Sequence, residues 1–551
     1  MSPNATPSIT TAPEEKLNPT FPRDPLPPPP SDDVPSPEKT EYIPGAALAL
    51  VLASLTLTVF LLMLDQSILS TAIPQITSHF HSLSDVGCAS FQPLTGKFYT
   101  HFRAKPVFLV HLFVFELGSL VCGVARSSQM LIAGRAIAGL GAAGLVNGAL
   151  TILSGAAPLE KRPLYTGLLL GIGQLGILSG PLVGGALTEY TTWRWCFYLN
   201  LPIGAISALV LFLIGIPDLT PKLPFTLPLL RSIIPLLDLP GFVLFAPASI
   251  MFLLAVQFGG DGSHAWSSPT IIGLFVGAGI IFLLFSAWEW RAGDKAMIPG
   301  SILRNRIVLM STGQVACLTV CLVVASTWLP MYFQAVRGEG PTMSGVDLLP
   351  SILAQLLLSV VSGAAMSKLG YYLPWAVFSG AVTTIGNGLI STFSPTTKTA
   401  SWIGYLIVVG AGRGAGMQVA FIATQHALPR ALIPTCLAFL IFAQNFLSAI
   451  SMLIANTIFT QTLFSQLAKH APSVSGPAAL AAGGSASAVR GLVQPGHEDE
   501  LGGVLLAYSE SLRNVWLMIV GVAGVGFVFS WGIGWRDVRK KDDGEGAKVD
   551  V

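Results

Sequence analysis

The chain has 551 residues, of which 52% are apolar and only 11% are Asp, Glu, Lys or Arg. Soluble domains are about 25% charged, so these proportions exclude a soluble globular enzyme and a wholly disordered chain. The formal net charge of +2 creates no field that would draw in a polyanion, which excludes a nucleic-acid binder.

Residues 1–42 contain the run Pro27–Pro30 and almost no apolar periodicity. Such a segment buries too little surface to fold and reads as a disordered cytoplasmic arm. It has no signal-peptide pattern, so the chain is not read as secreted, and the first apolar segment serves as the insertion signal. Apolar segments long enough to cross a bilayer then follow in series. Thirteen are clear: 45–64, 107–125, 131–155, 166–188, 197–216, 240–257, 270–288, 307–333, 346–366, 373–392, 403–425, 432–462 and 514–534. In lipid each must be a helix, which satisfies its own backbone within one crossing. A fourteenth candidate, Val86–Tyr99, has 14 residues and includes Pro93. At about 1.5 Å per residue it reaches only ~21 Å of a ~30 Å hydrocarbon core. A loop at 466–512 is rich in Ala, Gly, Ser and Pro, and a polar tail, 536–551, carries Arg539, Lys540 and Lys541.

Charge sets the expected orientation. With fourteen crossings and a cytoplasmic N-terminus, the cytoplasmic loops hold thirteen Lys and Arg and the outer loops seven. That is the sign of the positive-inside rule. Without a crossing at Val86–Tyr99, every later loop would invert.

The six cysteines, Cys88, Cys122, Cys196, Cys317, Cys321 and Cys436, lie in or beside apolar runs without zinc-ligand spacing and read as packing residues. Gly139–Gly144 and Gly171–Gly176 match G-x-G-x-x-G, but their flanks are apolar helix rather than strand, so no dinucleotide site is expected. In Gly171–Gly185 (GIGQLGILSGPLVGG), Gly176, Gly180 and Gly184 recur every four residues and form a smooth face for close helix approach. Pro181 removes a backbone bond and favours a bend. The stretch reads as a static helix contact or as a seam that slides between moving halves.

Charges inside apolar helices cost about 2.5–3.5 kcal/mol on insertion scales and need a partner, a wet cavity or a function. Asp65 ends the apolar run Ala46–Leu64 and is the leading proton carrier. With Arg135 it forms either a fixed ion pair or a switch between a dry and an Arg-paired setting. Glu116 is the alternative carrier. In the C-terminal half, Gln334, Arg413, Gln418, Gln425, His426, Gln444 and Asn445 are polar groups within helices. Gln334, Gln418, Arg413 and Asn445 are the substrate-binding candidates, although helix amides bond neighbouring helices equally well.

These residues carry a resemblance. Leu64–Pro74 (LDQSILSTAIP), Leu131–Gly144 (LIAGRAIAGLGAAG), Gly171–Gly185, Trp193–Gly204 (WRWCFYLNLPIG), Trp328–Gly338 (WLPMYFQAVRG), Ser344–Pro350 (SGVDLLP) and Gly410–Gln418 stand in the order of the motifs of the major facilitator superfamily. The chain resembles its fungal 14-helix drug:proton antiporter branch from about Ala46 to Arg539. The resemblance implies an all-α membrane protein with two six-helix bundles, 43–216 and 307–535. Two inserted helices, 236–290, lie between cytoplasmic loops 217–235 and 291–306. It gives Asp65 and Arg135 the proton-coupling role, with Glu116 beside them. It gives Gly176, Gly180, Pro181, Gly184 and Gly185 the antiporter seam, and Gly96, Lys97, Arg103 and Lys105 the cytoplasmic gate. Two features depart from the family: Thr100 stands where the gate motif has an acid, and the second helix is shortened, with only Cys88, Ala89 and Ser90 between Gly87 and Phe91.

The expected function is proton-coupled efflux of small, largely apolar organic compounds, drugs or a fungal metabolite or toxin, by alternating access. Its partners are that substrate, protons and the lipid bilayer; the protein is read as a monomer without nucleic acid, cofactor or metal. No nucleophile–base or metal constellation suggests an enzyme. The plasma membrane is the expected location, with the vacuolar membrane as alternative. The rival readings are a same-fold importer of a siderophore or amino acid and a non-transporting membrane sensor.

Overall fold

The computed structural model describes residues 45–76, 83–220, 222, 236–260, 264–483, 485–493, 500–537 and 539. The expected N-terminal arm and most of the polar tail lie outside the described residues, as do most of loop 217–235 and the side chains of 69–90, Pro181 and Gly185.

Fourteen long helices carry the described chain. They are α1 (Gly45–Ile76), α2 (Leu83–His101), α3 (Ala104–Gly123), α4 (Ser128–Ala156), α5 (Arg162–Tyr190), α6 (Asn200–Leu213, entered through the turn Trp195–Tyr198), α7 (Leu239–Gly260) and α8 (Pro269–Ala292). Then follow α9 (Arg306–Met331), α10 (Leu349–Leu369), α11 (Leu373–Ile390), α12 (Thr399–Gly416, carried on by Val419–Ala427), α13 (Ile433–His470) and α14 (Leu501–Trp531). Twelve stretches of the described residues are long and apolar enough to cross a membrane. Among the described residues there is no named strand, only an isolated bridge between Tyr371 and Asp537. Local signals start and stop the helices. Ser127 Oγ accepts from Met130 N at 3.2 Å to cap α4, and Asn305 Oδ1 from Ile307 N at 3.0 Å to cap α9. These bonds satisfy donors that a helix start leaves unpaired. Gly370, at φ 85°, closes α10 in the left-handed conformation that glycine adopts without a Cβ penalty.

The packing repeats with an offset of eight helices. In the first set α1 packs on α5 and α6, α4 on α2 and α3, and α3 on α6. In the last set α9 packs on α13 and α14, α12 on α10 and α11, and α11 on α14. These are two six-helix bundles of one design. The contacts between them obey the same offset, α2 on α13 and α5 on α10. Hydrogen bonds joining the bundles gather at the helix ends near residues 101–104, 156–162, 369–373 and 427–433. There Thr100 Oγ1 meets Thr435 Oγ1 at 3.0 Å, Ser154 Oγ donates to Gln425 Oε1 at 3.0 Å, and Ser359 Oγ donates to the Gly167 carbonyl at 2.9 Å. A side chain at Gly96 would strike Thr435 and Ala438, and one at Gly363 would strike the Pro163 carbonyl. The α7–α8 pair packs on itself and, through α7, on α2 and α13.

Two segments differ in extent from their apolar cores. The second helix is short beside its neighbours, yet it spans 19 residues rather than 14. The added residues are Leu83, Ser84 and Asp85 before the apolar stretch and Thr100 and His101 after it, mostly polar positions that hydropathy does not register as helix. The 466–512 loop is narrower than its composition suggests. The helix before it runs to His470, the next begins at Leu501, and two short helices, Gly476–Ala482 and Ala486–Arg490, lie between. Val504, Ala507, Tyr508 and Leu512 are buried there, and Tyr508 donates from its hydroxyl to the Ala479 carbonyl at 2.7 Å. Burial against the end of α13, with a bond to the first short helix, extends α14 beyond its apolar stretch.

Candidate functional site

The apolar run of α1 ends at Asp65, which is 3% exposed. A carboxylate so buried requires compensation, and three helices supply it. Arg135 of α4 donates from Nη1 to Asp65 Oδ2 at 2.5 Å. Asn200, the first residue of α6, donates from Nδ2 to Asp65 Oδ1 and to Ser119 Oγ of α3, each at 3.1 Å. Both carboxylate oxygens are thus held, one by a cation and one by an amide. The amide is itself anchored to α3, so α1, α3, α4 and α6 converge on one acid. Charge-assisted bonds of this kind are short and strong.

Glu116 lies one turn from Ser119 on α3. Its two carboxylate oxygens are buried, have no hydrogen-bond partner among the described residues, and abut Gly204 of α6 closely enough that any side chain there would collide. Glu116 also feels the Asp65 charge. The structure thus brings two acids and one arginine into a single neighbourhood, with only Asp65 paired. Asn200 and Ser119 were not singled out from sequence; Asn200 lies within the WRWCFYLNLPIG stretch, where an amide in an otherwise apolar helix start was the available signal.

The glycine face of α5 lies against α1. Side chains at Gly176 would strike the Phe60 carbonyl and Leu64 N, and at Gly180 Ser67 and Ile68 N. Ser67 Oγ also donates to the Gly176 carbonyl at 3.2 Å. This contact is internal to the first bundle. The inter-bundle contact of α5 is made a few turns earlier, where Gly167 and Gly171 meet Ser359 of α10. Gly184 is buried on the same helix.

The expected gate residues go separate ways. Gly96 sits at the α2–α13 crossing. Lys97 is 5% exposed and donates from Nζ to the Lys295 carbonyl at 3.3 Å. Lys105 caps the end of α6 through the Phe212 and Ile214 carbonyls at 2.7 and 2.9 Å. Arg103 is exposed, and its side chain makes no hydrogen bond or ion pair among the described residues. Lys222 caps the end of α2 through the Tyr99 and Phe102 carbonyls; burial lowers its pKa, and the Asp218 charge opposes that shift.

The four substrate-binding candidates do not meet in one cluster. Gln418 is fully buried, and its amide bonds Ser359 and Ser362 of α10 through both of its ends. Gln334 donates to Ser344 Oγ at 2.8 Å. Arg413 is 3% exposed and donates to Ser351 Oγ at 2.6 Å and to the Cys321 carbonyl at 3.5 Å, while its Nε has no partner. Asn445 of α13 is half-buried, and its side chain makes no hydrogen bond among the described residues. Five cysteines, Cys122, Cys196, Cys317, Cys321 and Cys436, are free and buried, and no group of His, Cys, Asp and Glu among the described residues is placed to hold a metal.

Residues 55–455 match the Major Facilitator Superfamily. The MFS-type transporter calB of Penicillium decumbens is 53% identical over 519 residues, covering 93% of this chain and 92% of its own. The efflux pump mlcE of Penicillium citrinum is 46% identical over 522 residues, covering 92% and 93%, and the efflux pump mokI of Monascus pilosus 45% over 512 residues, covering 90% and 93%. Among solved structures, the proton:xylose symporter XylE superposes with a TM-score of 0.53 at 13% identity, over 90% of this chain and 97% of its own. The human organic anion transporter MFSD10 gives 0.53 at 14%, over 86% and 99%. A repeat of two six-helix bundles around an inserted pair, with matches across nine-tenths of the chain, leads to one conclusion: this multi-pass membrane protein belongs to the major facilitator superfamily, a family of transporters rather than enzymes.

Proposed function

We propose that the protein exports a small, largely apolar organic compound, a fungal secondary metabolite or drug, in exchange for protons, by alternating access between its two bundles. The observation that carries the proton part is the buried Asp65–Arg135 pair with its Asn200 anchor. When Asp65 is ionised, the arginine and the amide hold it. When it is protonated, the ion pair dissolves, and α1 and α4 lose their strongest mutual attachment. Proton uptake thereby becomes a change in helix packing. The names of the relatives mlcE and mokI support the outward direction. The proton gradient is the energy source; each charge moved against 100 mV adds about 2.3 kcal/mol. Asn445, whose side-chain amide has no partner among the described residues, offers a hydrogen bond to a substrate oxygen. The basic-residue bias places the joined bundle ends at the cytoplasm, and the plasma membrane is the proposed location of the monomer.

The test is flux in proteoliposomes with an imposed pH gradient, using the metabolite exported by the host strain. The intact protein should move substrate against its concentration only with the gradient present. Asp65→Asn should keep substrate exchange at equal pH and lose gradient-driven accumulation. Accumulation that is undiminished in Asp65→Asn would overturn the assignment.

A further inference from the structure

Lys97 is a buried cation at the inter-bundle crossing, and the acid that the gate motif usually carries is replaced by Thr100, which instead bonds Thr435. A buried charge left unpaired costs several kcal/mol, so the counter-charge must come from elsewhere. It comes from the inserted helix pair. Asp238, at the start of α7, and Glu289, in the last turns of α8, flank the backbone stretch that Lys97 bonds and supply negative charge beside it without a direct ion pair among the described residues. Both are positioned by the same short stretch of backbone. Met297 N donates to Asp238 Oδ2 at 2.7 Å and to Glu289 Oε1 at 3.1 Å, and Ile298 N donates to Glu289 Oε2 at 3.0 Å. Two residues earlier in that stretch, the Lys295 carbonyl accepts from Lys97 Nζ.

The site is built rather than incidental. Asp238 is the single non-glycine residue with positive φ (51°) among the described residues. That conformation is strained for a side-chain-bearing residue. It is held because the carboxylate also accepts from Gly241 N at 3.1 Å and Trp288 Nε1 at 2.7 Å. Aromatic contacts set the inserted pair across both bundles. Phe242 meets Phe91 of α2 in a tilted pair with ring centroids 4.8 Å apart, and Phe245 meets Phe442 of α13 at 4.9 Å.

We propose that the inserted helices are part of the gate: Asp238 and Glu289 are positioning residues that hold Lys97, and with it α2, against α13 in the state closed at this end. The proposal rests on the alternating-access reading but not on proton coupling. Opening at this end separates Gly96 from Thr435, and the inserted pair resists that separation through Lys97. The insertion thereby sets how long the carrier stays closed to the cytoplasm.

The experiment reads exposure of the seam directly. Thr435→Cys is introduced into the full chain in inside-out vesicles, and labelling by a membrane-impermeant maleimide is measured above the parental background. Lys97→Met should raise labelling about fivefold, the change expected when a contact of this scale is lost. Glu289→Gln should raise it less, and Lys97→Arg should restore the parental rate. Elution and melting of each variant report folding; should Lys97→Met fail to fold, Glu289→Gln carries the test. Parental labelling rates in folded Lys97→Met and Glu289→Gln overturn the proposal, as does an equal increase in Lys97→Arg. Labelling requires neither substrate nor a pH gradient. Loss of the proton-coupling reading through Asp65→Asn leaves this outcome intact.

Discussion

Two arginines occupy corresponding helices of the two bundles and meet opposite surroundings. Arg135 is the eighth residue of α4 and pairs with Asp65. Arg413 is the fifteenth of α12, about 10 Å further along its helix, and finds only a serine hydroxyl and a backbone carbonyl. Arg413 is buried and Arg135 partly so, but only Arg135 has a carboxylate partner among the described residues. Neutral dipoles hold a guanidinium in one state whatever the pH. A carboxylate partner makes the attachment conditional. The repeat therefore supplies the frame twice and the buried ion pair once.

Replacements at the two positions should separate these roles. Arg135→Met leaves the Asp65 carboxylate buried with only an amide, and breaking such a pair costs about 3–5 kcal/mol. Thermal melting in detergent at pH 7 should fall sharply, and Asp65→Asn in the same chain should recover much of the loss. Arg413→Met removes a buried cation that has no acid, so melting should stay unchanged or rise; a fall as large as that of Arg135→Met would equate the two sites and end the distinction. Gly180→Val forces a side chain into Ser67 and Ile68 at a cost of about 1–3 kcal/mol, and the same substitution at the uncrowded Gly273 of α8 should be milder in the same melting assay. Ser119→Ala has the smallest expected effect. It removes one neutral hydrogen bond, about 1 kcal/mol, while the Asn200–Asp65 bond persists, so gradient-driven flux should fall by no more than about fivefold on the ~1.4 kcal/mol-per-decade scale.

The apolar crossings were legible because lipid imposes a length and a composition on each. Asp65 and Arg135 stood out for the same reason, as charges in runs that exclude charge. What sequence concealed depends on tertiary meeting. Lys97 reaches the backbone of Lys295 across 198 positions, and no periodicity links Asp238 or Glu289 to it. The glycine spacing in α5 announced a close contact but not its partner, because a smooth face is equally suited to α1 and to the second bundle. The early start of α14 was invisible since Leu501–Arg513 packs chiefly against the end of α13, a contact that no local apolar run announces.

The crossing of α5 on α1 has a mechanical consequence. Gly176 touches the backbone at Phe60 and Leu64, and Gly180 touches it at Ser67 and Ile68, so the two bare patches bracket the single turn that bears Asp65. Little more than the Met63 and Ser67 side chains lies between the two rods, so a tilt of one displaces the turn of the other. The stretch of chain that lets α5 lie this close is therefore also the stretch that sets where the acid's turn sits, and a thickened side chain there would shift the Asp65–Arg135 contact from a distance without touching the charge.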